Sequence, residues 1–241
     1  MSRRSFAVAT VLSIIALGVP ITGCSNLLAD AHYNNALEEF DEGNFEAAIE
    51  LLDSAIAIRE EADYYTTRGN SKSSLQNFED AIKDYDKAIE IDPENASAYY
   101  NRGVTRYGID DTEGAMSDYN NSIKYNPDSK VAYLKRGLSK QDEGLYREAI
   151  TDYDKAIEIN TNDMKAFNSR GNSKMRLNLL EESIEDFNKA IQINPEFGLL
   201  YQNRGIPKAL SGDMDGACND WNKAVELGVE LPEQLASIDC K

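Results

Sequence analysis

"DYDKAIEI" stands at residues 84–91 and again, letter for letter, at 152–159. The copies lie 68 residues apart, and half that distance brings almost the whole chain into register with itself. The frames are 62–95, 96–129, 130–163, 164–197 and 198–231, each of 34 residues, with a sixth of 33 residues at 29–61. A period of this length marks a supersecondary unit that cannot bury its apolar face alone and so stacks on copies of itself.

The eighth place of the frames holds Ala36, Gly69, Gly103, Gly137, Gly171 and Gly205, and the twentieth Ala48, Ala81, Ala115, Ala149, Ser183 and Ala217. The twenty-fourth holds Leu52, Tyr85, Tyr119, Tyr153, Phe187 and Trp221, and the twenty-seventh Ala55, Ala88, Ser122, Ala156, Ala190 and Ala224. Small residues let two helices approach, large ones fill the space beside them, and Pro93, Pro127 and Pro195 stop the second helix before the next unit. Phe78, Ala81, Ile82, Tyr85, Ala88 and Ile89 form one stripe at the helical period. "EGNFEA" (42–47) and "QNFED" (76–80) open such helices with a polar turn and acidic residues. No stretch reads as a strand. The chain is therefore predicted to be all-α, with six helical hairpins over 29–231 and a short capping helix and tail over 232–241.

This pattern resembles the tetratricopeptide repeat over roughly 200 of the 241 residues. The resemblance implies a right-handed superhelical solenoid whose concave face, lined by the first helix of each pair, holds peptides or helices of other proteins. One departure is systematic. The family usually has leucine at the seventh place and tyrosine at the eleventh; here the seventh is Arg68, Arg102, Arg136, Arg170 and Arg204, and the eleventh Lys72, Arg106, Lys140, Lys174 and Lys208. Two positive charges one helical turn apart repel. The twenty-third place, on the facing helix, supplies Asp84, Asp118, Asp152, Asp186 and Asp220, whereas the first frame has Asn35, Glu39 and Leu51 and loses all three features together. Each arginine is expected to pair with the aspartate of its own hairpin, with the eleventh-place base nearer solvent or the adjacent unit.

The sixth and ninth places of the first helices are expected to face the groove, which nominates Asn70, Asn101, Lys135, Asn172 and Asn203, with Tyr100 adding flat contact area. An asparagine amide both donates and accepts, so it can hold an extended backbone without demanding a particular sequence.

Three cysteines occur. Cys218 takes a place that is Ile or Met in the other frames and should face whatever stacks on the last hairpin. That is the tail "LPEQLASIDCK" (231–241), where Pro232 can open a short helix with Leu235 and Ile238 as its apolar side. A solenoid needs a cap over its end, and a Cys218–Cys240 disulfide would fix one. Pro207, inside the first helix of the last frame, is expected to kink it.

Residues 1–23 begin with Arg3 and Arg4, continue in an apolar run from Phe6 to about Val19, and end in small residues, which reads as an export signal. "ITGC" (21–24) resembles the lipobox of bacterial lipoproteins, which implies cleavage after Gly23, acylation of Cys24, and a short lipid-anchored linker at 24–28 before the solenoid. The expected location is the bacterial cell envelope, on a membrane and facing the periplasm, where oxidation of cysteines is permitted.

The net charge is −17, and loss of residues 1–23 leaves 23 basic against 42 acidic side chains. Such a surface repels phosphate backbones, so nucleic acid is not an expected partner. His32 is the single histidine; no metal-ligand set or nucleophile–base pair accompanies it, and the glycines are spread one per hairpin rather than gathered in a phosphate loop. No catalytic residue, metal or cofactor is predicted. The expected function is a membrane-anchored scaffold or adaptor that binds other proteins or peptides; the alternative is an assembly chaperone for a membrane complex such as a photosystem, a pilus or outer-membrane machinery.

Overall fold

The computed structural model describes residues 21–236, 238 and 240, and side chains from residue 25 onward. The signal segment 1–20 lies outside the described residues, as does the side chain of Cys24. Among the described residues there are thirteen helices and no strand. They fall into two compact units, residues up to Asn126 and residues from Pro127.

The first unit holds α1 (Ile21–Asp41), α2 (Phe45–Ile58), α3 (Ala62–Ser74), α4 (Phe78–Ile91), α5 (Ala96–Gly108) and α6 (Thr112–Tyr125). They form three antiparallel hairpins, α1/α2, α3/α4 and α5/α6, and each hairpin also packs on the next. The second unit holds α7 (Lys130–Asp142), α8 (Tyr146–Ile159), α9 (Met164–Arg176), α10 (Leu180–Ile193), α11 (Gly198–Leu210), α12 (Met214–Glu226) and the short α13 (Glu233–Ala236). It repeats the arrangement, with α7/α8, α9/α10 and α11/α12 as its pairs.

Each hairpin turns at one place. The fifteenth residue of the frame has a left-handed backbone whether it is Gly43, Gly144 and Gly212 (φ 82, 78 and 93°) or Gln76, Asp110 and Asn178 (φ 62, 64 and 59°). Asn95, Asp111, Ser129, Asp163 and Asp213 each accept a hydrogen bond from an amide in the first turn that follows, satisfying donors that the helix leaves open.

Closure of the hairpin depends on the eighth and twenty-fourth places. Tyr85, Tyr119, Tyr153, Phe187 and Trp221 are at most 2% exposed, and each ring lies against the glycine of the facing helix. A methyl group on Gly137 would sit 2.6 Å from the Tyr153 ring and one on Gly205 2.3 Å from Trp221, whereas one on Gly171 would sit 3.2 Å from Phe187. Under 3 Å no side chain fits without movement of the ring.

One boundary differs from the sequence expectation. Residues 24–28 belong to α1 instead of forming a linker; no proline or glycine interrupts the chain from Ser25 to Asp41, and Leu28 is half-buried beside fully buried Ala29. The helix α11 runs unbroken through Pro207. Pro207 occupies the tenth place, where Ser71, Thr105, Ser139 and Ser173 are also buried, so the ring fills a small-residue site, and the amide of Ser211 restores the ladder on the Pro207 carbonyl at 3.0 Å. At the end of the second unit Leu231, Leu235, Ile238 and Cys240 cover Ala217, Cys218 and Trp221, and the Cys218–Cys240 disulfide closes a loop of 22 residues.

Two outcomes follow. Gly137→Ala should destabilise the protein by about 1–3 kcal/mol in urea unfolding, because overpacking exceeds the roughly 1 kcal/mol gained in helix propensity, while Gly171→Ala should lie close to neutral. Cys240→Ser should lower the stability of the second unit by about 3 kcal/mol, and reductant should do the same to the wild type and nothing further to the variant.

Candidate functional site

The charged residues of the frames form a ladder that is half buried, and its geometry determines which polar groups remain available for binding. In each of the last five hairpins the arginine of the seventh place grips the aspartate of the twenty-third with two parallel hydrogen bonds, Nε to Oδ2 and Nη2 to Oδ1. The pairs are Arg68–Asp84, Arg102–Asp118, Arg136–Asp152, Arg170–Asp186 and Arg204–Asp220, all at 2.5–3.0 Å. The five aspartates are 1–4% exposed. Burial alone opposes the charge on Arg102, but the hydrogen bonds and charge of Asp118 outweigh it and raise the guanidinium pKa.

The eleventh-place base does not sit toward solvent or the adjacent unit, as the sequence reading had it. Lys72, Arg106, Lys140, Lys174 and Lys208 reach the same aspartates at 2.7–2.9 Å. The seventh and eleventh places share a helical face, and one carboxylate has enough lone pairs for both bases. The link to the adjacent hairpin is made by the arginine. Its Nη1 reaches back to the twenty-fifth place of the hairpin before: Arg68 to Asp53, Arg170 to Asp154 and Arg204 to Asn188 at 2.5–2.6 Å, and Arg102 to Asp86. Above each guanidinium lies the ring of the fourth place, Tyr65, Tyr99, Tyr133, Phe167 or Tyr201, at 5.2–5.6 Å. The sequence reading missed this stack, although an aromatic three residues before every arginine signals it.

The candidate binding surface lies in the first unit, on the first helices. Phe40 of α1, Asn70, Ser73 and Ser74 of α3, and Asn101, Val104 and Thr105 of α5 line a groove of about 260 Å³ with Tyr85 in its wall. Two nominated residues, Asn70 and Asn101, thus come together; Phe40, Ser73, Val104 and Thr105 were not foreseen. The hydroxyl of Tyr85 donates to Asn70 Oδ1 at 2.9 Å, which leaves the Asn70 amino group to donate outward. Burial pushes the Tyr85 pKa up, offset in part by the hydroxyls of Thr105 and Ser73. Those two hydroxyls are 3.1 Å apart, and Thr105 also bonds the Asn101 carbonyl at 2.9 Å. The Asn101 side-chain amide has no hydrogen-bond partner among the described residues.

Tyr100, also in the first unit, is half-buried with its ring 6.3 Å from that of Tyr119. In the second unit Lys135, Asn172 and Asn203 are half-buried on α7, α9 and α11. Asn203 is committed, donating to Asn168 Oδ1 at 3.0 Å. His32 is half-buried on α1, and among the described residues no cluster of His, Cys, Asp and Glu could hold a metal ion.

Tetratricopeptide repeat models match residues 69–110, 96–129, 131–163 and 165–197, together more than half of the chain. The chain belongs to the tetratricopeptide repeat family. Its consecutive helix pairs are those of a tetratricopeptide solenoid, a fold that serves as a protein- or peptide-binding scaffold, and no catalytic family matches. Among solved structures, MamA is 25% identical with a TM-score of 0.65, covering 71% of this chain and 97% of its own. YrrB, described as a TPR protein with an unusual peptide-binding site, is 23% identical with a TM-score of 0.67, covering 77% and 95%. PilF of Pseudomonas aeruginosa is 17% identical with a TM-score of 0.75, covering 85% and 93%. A search of curated proteins found no match.

The ladder yields a direct test. Asp118→Ala strands Arg102 and Arg106 and should cost about 3–5 kcal/mol in urea unfolding. Replacing Asp118, Arg102 and Arg106 together by Leu, Met and Met should cost less than half as much.

Proposed function

We propose that this protein is a lipid-anchored scaffold on the extracytoplasmic side of a bacterial membrane, holding extended segments of other proteins against its first helices. The observation that carries the binding half is the groove of the first unit. Its wall is fixed by the Tyr85–Asn70 bond, while the Asn70 amino group and the Asn101 amide remain available to the backbone of a guest. Phe40 and Val104 offer apolar contact beside them. Such a surface recognises backbone and shape before side-chain identity, as an adaptor for several clients requires.

The anchoring half rests on the leader sequence and "ITGC" at 21–24. Among the described residues no helix is long and apolar enough to cross a membrane, so attachment in this reading comes from acyl chains on Cys24. Each buried methylene adds about 0.8 kcal/mol, and several chains together hold stably where one is marginal. The Cys218–Cys240 disulfide suits an oxidising compartment.

A photo-crosslinking residue at Val104, introduced in intact cells, should give discrete crosslinked species that a control at Glu79 on α4 does not. They should fade with Asn101→Ala and with Asn70→Asp, which keeps an acceptor for Tyr85 but removes the outward donor. Cys24→Ser should move the protein from the membrane to the soluble fraction. Identical species from both positions would refute the groove reading, and a Cys24→Ser protein that stays on the membrane would refute the anchor.

A further inference from the structure

The charge of the chain is unevenly placed. Residues 21–126 hold 22 acidic and 8 basic side chains, whereas residues 127–241 hold 20 and 15. Most of the excess negative charge therefore belongs to the unit that carries the groove.

The basic groups of that unit are also largely spent. Arg59 is paired with Asp30 and Glu61, Arg68 and Lys72 with Asp84, Lys83 with Asp80, Lys87 with Glu90, and Arg102 and Arg106 with Asp118. On the three helices that line the groove, α1, α3 and α5, every cation is a member of the ladder.

The carboxylates of those helices are distributed differently. Asp63 falls on one helical stripe with Thr67, Asn70 and Ser74, at spacings of four, three and four residues. Asp41 falls on the corresponding stripe of α1 with Asn34 and Leu37, beside Phe40. Both are exposed, and neither has an ion-pair partner among the described residues. The groove itself is lined by neutral side chains. Its walls supply hydrogen bonds and apolar contact, and the helical stripes that carry them continue to uncompensated carboxylates, Asp41 next to Phe40 and Asp63 about two turns before Asn70.

Resting on the groove reading above, we propose that the guest of the first unit is an extended, lysine- or arginine-bearing segment of another protein. Its backbone bonds to Asn70 and Asn101, and its cations lie over Asp41 and Asp63. An acidic segment would meet a field of its own sign with no free cation on the lining helices to answer it. Complementary charge of this kind selects partners and speeds encounter more than it adds affinity, so the guest is chosen by charge and held by the groove.

Fluorescence anisotropy of the full chain tests this with three labelled ten-residue peptides built on one Ala/Ser/Val backbone, carrying four lysines, four glutamates or no charge. The lysine peptide should bind at least about tenfold tighter than the glutamate peptide, and about fivefold more weakly at 300 mM than at 50 mM salt. Asp41→Asn with Asp63→Asn should weaken the lysine peptide about fivefold and leave the neutral one unchanged, whereas Asn101→Ala should weaken both. Equal binding of lysine and glutamate peptides would overturn the proposal and leave the groove standing. So would an equal loss on Glu79→Gln with Glu94→Gln, acids of the same unit on α4 and the loop after it. Failure of all three peptides, or indifference to Asn101→Ala, would overturn the groove as well.

Discussion

A carboxylate buried between two helices has to be answered there, and in this chain the answer builds the repeat. The aspartate of the twenty-third place lies nearly out of solvent and draws two bases from the facing helix, one turn apart. The remaining nitrogen of Arg68, Arg102, Arg170 and Arg204 then reaches the preceding hairpin. A single arginine thereby ties a hairpin shut and ties it to its neighbour. The word DYDKAIEI contains the device in compact form. Its first aspartate takes the arginine of its own hairpin, its tyrosine fills the space against the glycine, and its second aspartate takes the arginine of the next.

Buried ion pairs contribute little net stability, since desolvation offsets most of the attraction. The apolar contacts at the eighth, twentieth, twenty-fourth and twenty-seventh places supply the driving force. We read the ladder as a device for register. A helix slipped by one residue would lose a bidentate bond, a stacked ring and a link to the neighbour together, so alternative packings of nearly identical helices are penalised at every step. The first hairpin lacks the set and has Leu51 where the others have aspartate.

Pairing of the seventh and twenty-third places was legible because the residues appear and vanish as a set within one chain, and so were the small and aromatic places, whose volumes complement each other. The partner of the lysine was not. Sequence shows that three charges belong together, but not that one carboxylate serves two bases while the arginine reaches backwards. The fifteenth place was hidden for another reason: Gly, Gln, Asp and Asn all stand there, and only the backbone reveals a common left-handed turn. The groove was half visible. Asn70 and Asn101 follow from helical spacing, whereas Phe40, Ser73 and Thr105 join them only because successive hairpins bring different places of three helices to one hollow.

Scaffold and specificity occupy different places of the frame. Places that hold the hairpins together barely change along the chain: the seventh is arginine, the eighth glycine and the twenty-third aspartate in all five later frames. The ninth runs Leu37, Asn70, Val104, Leu138, Asn172 and Ile206, and the twelfth Phe40, Ser73, Tyr107, Gln141, Met175 and Ala209. These lie on the first helices, and five of the first unit's six such residues are Phe40, Asn70, Ser73, Val104 and Leu37, four of which line the groove. Repeats that share an ancestor and a packing problem keep the residues that solve it, and diverge where each meets something different. A chain whose frames disagree at the binding places presents each guest with a series of unlike contacts, so it fixes the direction and register of an extended segment that a uniform groove would let slide.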